Sequence, residues 1–335
     1  MSETDFIELG KMEAISRLYE GTPFTPFITS CLETAGPKYL YSASRTFLEG
    51  IDFDLVYFPL KHLGYKSVTA ITGELYASLS NPATLDIVLG ISAKLDFAYI
   101  DELWKGMARA AVEHGFKQVS LDLVPSRNGL VISVSGTGLR SLPTGKRRPQ
   151  AKSKDLICVS GSLGAAYIGQ QLLEKEKKSF ENNVFEHPDL DKYKMLVGAY
   201  LKPELDSGIP AAFEEAEVNP PFGYFIKNGL ADTVMRLARH SKLGAKIYAD
   251  KIPFEGNSFQ LGKELDIDPV SAAMNGGDDY KLLYVIPILS LEKFRRNFPS
   301  FDIIGHLALP EAGTVLVTPD GAELPLKAQG WKTSV

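Results

Sequence analysis

The run Asn275-Gly276-Gly277-Asp278-Asp279-Tyr280, followed by Lys281-Leu282-Leu283-Tyr284-Val285-Ile286, sets a flexible turn and two adjacent carboxylates at the mouth of an apolar strand. Paired glycines let the backbone turn tightly and come close to a ligand. Carboxylates beside bare backbone suit a metal–phosphate or another polar ligand. An isolated GGDD also reads as a turn carrying two solvated acids, so its neighbours have to decide between the two.

Working outward, Leu156-Ile157-Cys158-Val159-Ser160 reads as a buried strand. Gly161-Ser162-Leu163-Gly164 follows it, and a helix starts near Ala165. Strand, glycine loop and helix N-terminus make an anion-friendly element, because unpaired backbone N–H groups point outward there. The spacing is that of neither a Walker A loop nor a Rossmann loop. Just before it, residues 140–155 hold Pro, Gly and five basic residues from Lys146 to Lys154. That composition marks a loop and a domain boundary, giving domains at 1–147 and 148–335. The cluster reads either as a solubilising loop or as a phosphate contact.

The 335 residues are 44% hydrophobic and 23% charged with a net charge of −5, an ordinary globular composition that argues against a broad nucleic-acid footprint. The two cysteines, Cys31 and Cys158, lack metal-ligand spacing and read as buried small residues in a reducing compartment. The five histidines have no i,i+4 partner and no nearby Cys, so neither a zinc site nor a Ser-His-Asp triad is supported. The acidic start is unlike a signal peptide, and no apolar run is long enough to span a membrane. The expectation is a cytoplasmic protein that engages neither membrane nor nucleic acid.

Periodicity predicts short helices at 11–20, 189–201 and 291–297. It predicts longer helices from His62 to Leu79, over Ile100–Ala111 ending at Gly115, and through Leu230, Val234 and Leu237 with Asn228 as N-cap. Strands are expected at 39–44, 84–95, 118–124, 130–135, 246–254, 280–288, 303–309 and, around Pro319-Asp320-Gly321, 315–326. Alternating elements in both halves argue for α+β or α/β, in two domains.

Several runs together resemble the thiamine-monophosphate kinase family, within the aminoimidazole ribonucleotide synthetase-like superfamily. Phe47-Leu48-Glu49-Gly50-Ile51-Asp52-Phe53-Asp54 resembles that family's "MEGVHFD", and Pro59 to Ser67 continues it. Arg148 with Ala151-Lys152-Ser153-Lys154-Asp155 resembles "R-x-G-A-K-P-G-D", and Val159 to Gly164 resembles "VTGxLG". Gly276-Gly277-Asp278-Asp279-Tyr280 resembles "GGEDYEL", while Ile304-Gly305-His306 and Gly330-Trp331 also fit. The resemblance implies a two-domain fold whose N-terminal domains pair into a dimeric β-barrel. It also implies a homodimer and ATP-dependent phosphorylation of thiamine monophosphate to the diphosphate, with aspartate-held Mg2+.

The chain departs from that pattern where the chemistry needs acids, since phosphoryl transfer rests on metal positioning and charge neutralisation. The family's "GxGDDAA" falls on Thr25 to Cys31, which has neither acid nor glycine. The acid of "TTD" becomes Arg45, and the His of "GVHF" becomes Asp52. "N-x-S-D" leaves Glu74, "GGDTT" leaves Asp122, and "D-x-SDG" becomes Phe225-Ile226-Lys227-Asn228-Gly229. The third acid after the glycine pair becomes Lys281. Replacing an attractive contact with a repulsive one at about 4 Å changes its energy by roughly 8 kcal/mol at an effective dielectric near 20.

Two classes of function follow. The first is an active ATP-dependent thiamine-phosphate kinase with a rearranged Mg2+ site drawn from Glu74, Asp122, Asp278 and Asp279. The second is a non-catalytic or strongly impaired relative that keeps the fold, dimerises and binds a small phosphorylated molecule. Candidate phosphate-binding residues are Arg45, Arg148, Lys152, Gly161, Gly164, Lys227, Gly276, Gly277, Asp278 and Asp279, and candidate metal ligands are Glu74 and Asp122. No catalytic residue is assigned. Arg45 also reads as the partner of a local acid, Glu74 as a solvated helix position and Asp122 as an acid on an apolar strand that needs a partner.

Overall fold

The computed structural model describes residues 17–23, 38–141, 148–182 and 190–328. The chain divides into two units, Met1–Tyr76 with Ser80–Gly145, and Ala77–Leu79 with Lys146–Val335.

In the first unit, strand β1 (Lys38–Leu48), helix α1 (Leu60–Ala77), β2 (Asn81–Ser92), helix α2 (Phe97–Glu113), β3 (Gln118–Ser126) and β4 (Val131–Ser141) follow in order. The sheet order is β1-β4-β2-β3, with β2 and β3 parallel and the other pairs antiparallel. Helix α2 starts where the Asp96 carboxylate accepts the Tyr99 N–H at 3.2 Å, and it stops at His114, before Gly115 with φ of +76°. Its expected stripe of Ile100, Leu103, Met107, Ala110 and Ala111 is buried. The two helices cross where side chains are absent. A Cβ on Gly64 would lie 2.0 Å from the Leu103 carbonyl oxygen, and one on Gly106 would lie 1.9 Å from that of Lys61.

Strand alternation sorts this sheet into two faces. Leu85, Ile87, Leu89, Val119, Leu121, Leu123, Ile132 and Val134 are buried. The other face carries cross-strand rows read off the register: Ser44, Ser135, Asp86 and Ser120, then Thr46, Ser133, Val88 and Asp122, then Leu48, Val131, Gly90 and Val124. Hydroxyl pairs stitch it, with Thr46 to Ser133 at 2.7 Å and Thr84 to Thr137 at 2.7 Å.

The second unit contains β5 (Leu156–Val159), α3 (Ala165–Glu181), α4 (Lys194–Leu201), α5 (Ile209–Glu215), β6 (Gly223–Ile226), α6 (Leu230–Ser241) and β7 (Gly244–Tyr248). It continues with α7 (Ser258–Leu265), α8 (Pro269–Asn275), β8 (Lys281–Ile286), α9 (Leu291–Asn297), β9 (Asp302–Ala308), β10 (Thr314–Val317) and β11 (Glu323–Pro325). The seven strands order as β11-β10-β7-β9-β5-β8-β6, mostly antiparallel, with β7 and β10 parallel. β5 and β8 are neighbouring interior strands of it. Their Ile157, Val159, Leu283 and Val285 pack with Leu230 and Val234 of α6 into one core. Both are short apolar runs, as buried central strands are.

Several expectations change. Strand β1 runs through Leu48 rather than ending at Ser44, and β3 and β4 are not neighbours despite the short turn between them, because β2 lies between them in the sheet. Asn228 is not the N-cap of α6. Gly229 holds that position, and the Asn228 amide instead donates to Asp232 at 3.4 Å. Helices α5, α7 and α8 had no sequence forecast; two of them start with proline in the first turn, a signal that was available. The expected helix at 11–20 and loop at 22–37 lie mostly outside the described residues, as do Cys31 and Trp331.

Candidate functional site

In the second unit the glycine loop, the Lys227–Gly229 loop and the Gly276–Tyr280 loop come together. The Asp278 N–H donates to the Lys227 carbonyl at 2.8 Å, and the Tyr280 N–H donates to that of Ile226 at 3.0 Å. The Ser160 N–H donates to the Leu282 carbonyl at 3.0 Å, and the Ser160 hydroxyl accepts from the Leu282 N–H at 2.9 Å. Both glycines of the opening motif are structural. A Cβ on Gly276 would lie 2.4 Å from the Tyr167 Cβ, and Gly277 has φ of +84°. Asp278 and Tyr280 also adopt left-handed backbone, at φ of 59° and 51°. That is an uncommon state for residues with side chains and marks a constrained loop.

The two acids have different fates. Asp279 is 3% exposed, and its carboxylate accepts the Gly164 N–H at 2.9 Å and the Ala166 N–H at 3.3 Å. It therefore occupies the N-terminus of α3, the anion-friendly element expected from sequence, as a cap supplied from 115 residues away. Burial pushes its carboxyl up to about 7, against the pull of the two N–H groups and of Lys281. Asp278 is half-buried on the loop beside Lys227.

Beside Asp279 opens a cavity of about 300 Å³ lined by Ser162, Lys194, Lys202, Glu204, Glu255 and Lys281, with Ala165, Met195 and Pro203 among its apolar walls. Lys281 is half-buried, and loss of solvation lowers its ammonium's pKa, opposed by Asp279, Glu204 and Glu255. Sequence reading noted Lys281 only as a lost acid. The period of β8, which sets it next to the motif at the strand mouth, was the available signal.

The other candidates are placed as follows. The Arg148 guanidinium donates to the Ser78 carbonyl at 3.0 Å, and its buried Nε has no hydrogen-bond partner among the described residues. Lys152 has an exposed side chain, and its N–H donates to Asp155, whose carboxylate also accepts the Ile288 N–H. Gly161 lies against Lys281. In the first unit Arg45 pairs with Asp52 at 3.6 Å and lies over the Phe47 ring at 4.6 Å. Asp52 also accepts the Leu48 N–H at 2.9 Å. Glu74 is half-buried on α1.

Asp122 does not sit among the apolar residues beside it in sequence. Leu121 and Leu123 point to the core, whereas Asp122 shares the hydroxyl-rich face with Val88. On the same face Asp86, which sequence reading passed over, accepts the Ser120 hydroxyl at 2.6 Å. Within neither unit do three His, Cys, Asp or Glu groups among the described residues come together as a metal site. No helix among the described residues is long and apolar enough to cross a membrane.

No protein-family model matches the chain. Thiamine-monophosphate kinase of Aquifex aeolicus is 26% identical over 295 residues, covering 88% of each chain. That of Pyrococcus horikoshii is 27% identical over 271 residues, covering 80% of this chain and 78% of its own. Among solved structures, AaThiL complexed with AMPPCP and TMP superposes with a TM-score of 0.73 at 22% identity, covering 97% of each chain. The hydrogenase maturation protein HypE of E. coli matches with a TM-score of 0.69 at 14% identity, covering 95% of this chain and 97% of its own. The fold is thus the aminoimidazole ribonucleotide synthetase-like one. Over most of its length this chain is similar in sequence to thiamine-monophosphate kinases, and it shares the fold of their solved structures.

Proposed function

We propose that this protein binds a phosphorylated small molecule of the thiamine monophosphate type and that its Mg2+-dependent phosphotransfer from ATP is absent or strongly impaired. The carrying observation is the Arg45–Asp52 ion pair. Arg45 stands where the family resemblance puts a carboxylate; a guanidinium offers a divalent cation no oxygen ligand, and its pairing takes up the nearby Asp52 carboxylate. Asp279 has a structural duty of its own. Both its oxygens are engaged by backbone N–H groups at the start of α3. The positive groups at Lys227 and Lys281 suit a phosphate better than a metal.

The dimer belongs to the same reading. The exposed face of the first unit's sheet, with Leu48, Val88 and Val124 uncovered among hydroxyls, suits pairing with a second copy to close a barrel.

The competing reading is an active kinase with a rearranged metal site. Its support is the 26% identity to the Aquifex aeolicus kinase across 88% of both chains. Incubation with ATP, Mg2+ and thiamine monophosphate, followed by chromatography for thiamine diphosphate, separates the two. Robust turnover overturns the proposal. Calorimetric binding of thiamine monophosphate without turnover supports it.

A further inference from the structure

A second cavity of the second unit, of about 320 Å³, lies at β5, β7 and β9 and has no part in the reading above. Lys154, Leu156, Tyr248, Lys251, Ile303, Gly305 and His306 line it. Two lysines, a histidine and a tyrosine supply its polar groups, and no acid among the described residues lines it. Tyr248 stacks on His306 with ring centres 5.8 Å apart, and the Lys251 ammonium lies over the Tyr248 ring at 4.8 Å. The nearby Lys246 has its own counter-ion in Glu323.

Two local departures from regular backbone build this cavity. In an ordinary strand Ile303 and His306 would face opposite sides. The register of β9 against β5 slips between Ile157 and Cys158, a β-bulge at Ile304. As a result Ile304 and Leu307 both enter the core, while Ile303 and His306 both face the cavity. On the other rim, Lys154 holds a left-handed backbone with φ of +76°, a conformation that glycine takes most easily. Its N–H donates to the Leu307 carbonyl at 2.7 Å, and the Leu307 N–H donates to the Asp155 carbonyl at 2.8 Å, so the Lys154 loop is fastened to the bulged strand. A strained backbone carrying a long cation over a cavity is a feature that a mere turn does not need.

We propose that this cavity is a second binding site, for the phosphate group of a small molecule, held by Lys154, Lys251 and His306. Positive groups without an acid among them favour an anion, and phosphate meets ammonium and imidazole donors in charge-assisted hydrogen bonds. Tyr248 and the apolar Leu156 and Ile303 leave room for an organic part. Burial, and then the Lys246 and Lys251 charges, lower the pKa of His306, so a bound anion acts in the opposite direction and is readable there.

The test is a proton-NMR pH titration of the His306 imidazole in the full chain. It is run in chloride, in inorganic phosphate and in phenyl phosphate at matched ionic strength, with the other histidines as internal reference. The expected result is a rise in the His306 pKa with phosphate but not with chloride. The apparent affinity should weaken about tenfold in Lys251→Ala and in Lys154→Gly. The Lys154→Gly change eases the backbone, so loss of binding there is not loss of fold. Tighter binding of phenyl phosphate supports a phosphate monoester as ligand, and equal binding supports free phosphate. No phosphate-specific rise, or a rise unchanged in both lysine variants, overturns the site.

Discussion

The Arg45 guanidinium lies 3.6 Å from the Asp52 carboxylate, each about a fifth exposed, at the C-terminal half of β1 and the turn that follows it. In the resemblance drawn from the sequence, Arg45 stands at an acid position and Asp52 at a histidine position, and in the structure the two side chains pair. Double-mutant cycles with Arg45→Ala and Asp52→Ala should give a coupling of about 1 kcal/mol in urea unfolding, as for partly exposed pairs. Asp52→Ala alone should cost more than Arg45→Ala by about 1 kcal/mol, because the Leu48 N–H also loses its acceptor. Zero coupling would mean that the pair does not exist in solution.

Asp279 gives stability a pH signature. Its carboxyl rises from 3.8 to about 7 on folding, so the folded state holds the proton more tightly than the unfolded chain does. Its stabilising contribution is therefore fully present below pH 4 and is lost as pH rises toward and through 7. Urea titrations from pH 4 to 8 should show wild type losing stability relative to Asp279→Asn, by on the order of a few kcal/mol across that range. Parallel curves for the two proteins would refute the assignment.

Gly276 is predicted to tolerate no side chain. Its backbone is ordinary helical, with φ of −70°, so any penalty is one of space and not of conformation. A methyl there meets Tyr167 at 2.4 Å and the Ala272 carbonyl at 2.5 Å. Gly276→Ala should cost more than about 2 kcal/mol by overpacking, read as a drop in the thermal midpoint. A loss below about 0.5 kcal/mol, the scale of a neutral surface change, would show that the loop moves freely away from α3.

Cys158 is fully buried in β5, and burial pushes its thiol up to about 12. Alkylation with iodoacetamide at pH 8, followed by peptide mapping, should leave Cys158 unmodified in the native protein and modify it after unfolding. Prompt native labelling would mean that this interior strand opens.

How much of this was legible in sequence depends on what fixes each feature. The stripe Ile100–Leu103–Met107–Ala110 announced α2, and the turn at Pro319-Asp320-Gly321 announced the β10–β11 pair, because one local period or one turn decides them. Asp122 reads from its sequence neighbours as an acid on an apolar strand, because sequence neighbours are not spatial ones in a strand. Alternation sends Leu121 and Leu123 to the core and Asp122 to the opposite face. Asn228 has the right side chain for a cap, but Gly229 takes the capping position and the amide reaches Asp232. Asp279 shows the limit most clearly. The sequence marked both a helix N-terminus that wants an anion and an acid in a tight turn. Only strand order, which sets β8 beside β5, reveals that one fills the other.

That contact also orders events in time. The first turn of α3 gets its cap from a residue 115 positions further along the chain, so α3 remains uncapped until β8 has docked. Closing so long a loop precedes any reward from the contact. A nascent chain that has left the ribosome only as far as α8 would present the N-terminus of α3 bare. Pulse-labelled hydrogen exchange should then find the Gly164 and Ala166 amides protected later than those in the middle of α3. Simultaneous protection would place β5–β8 pairing ahead of the helix.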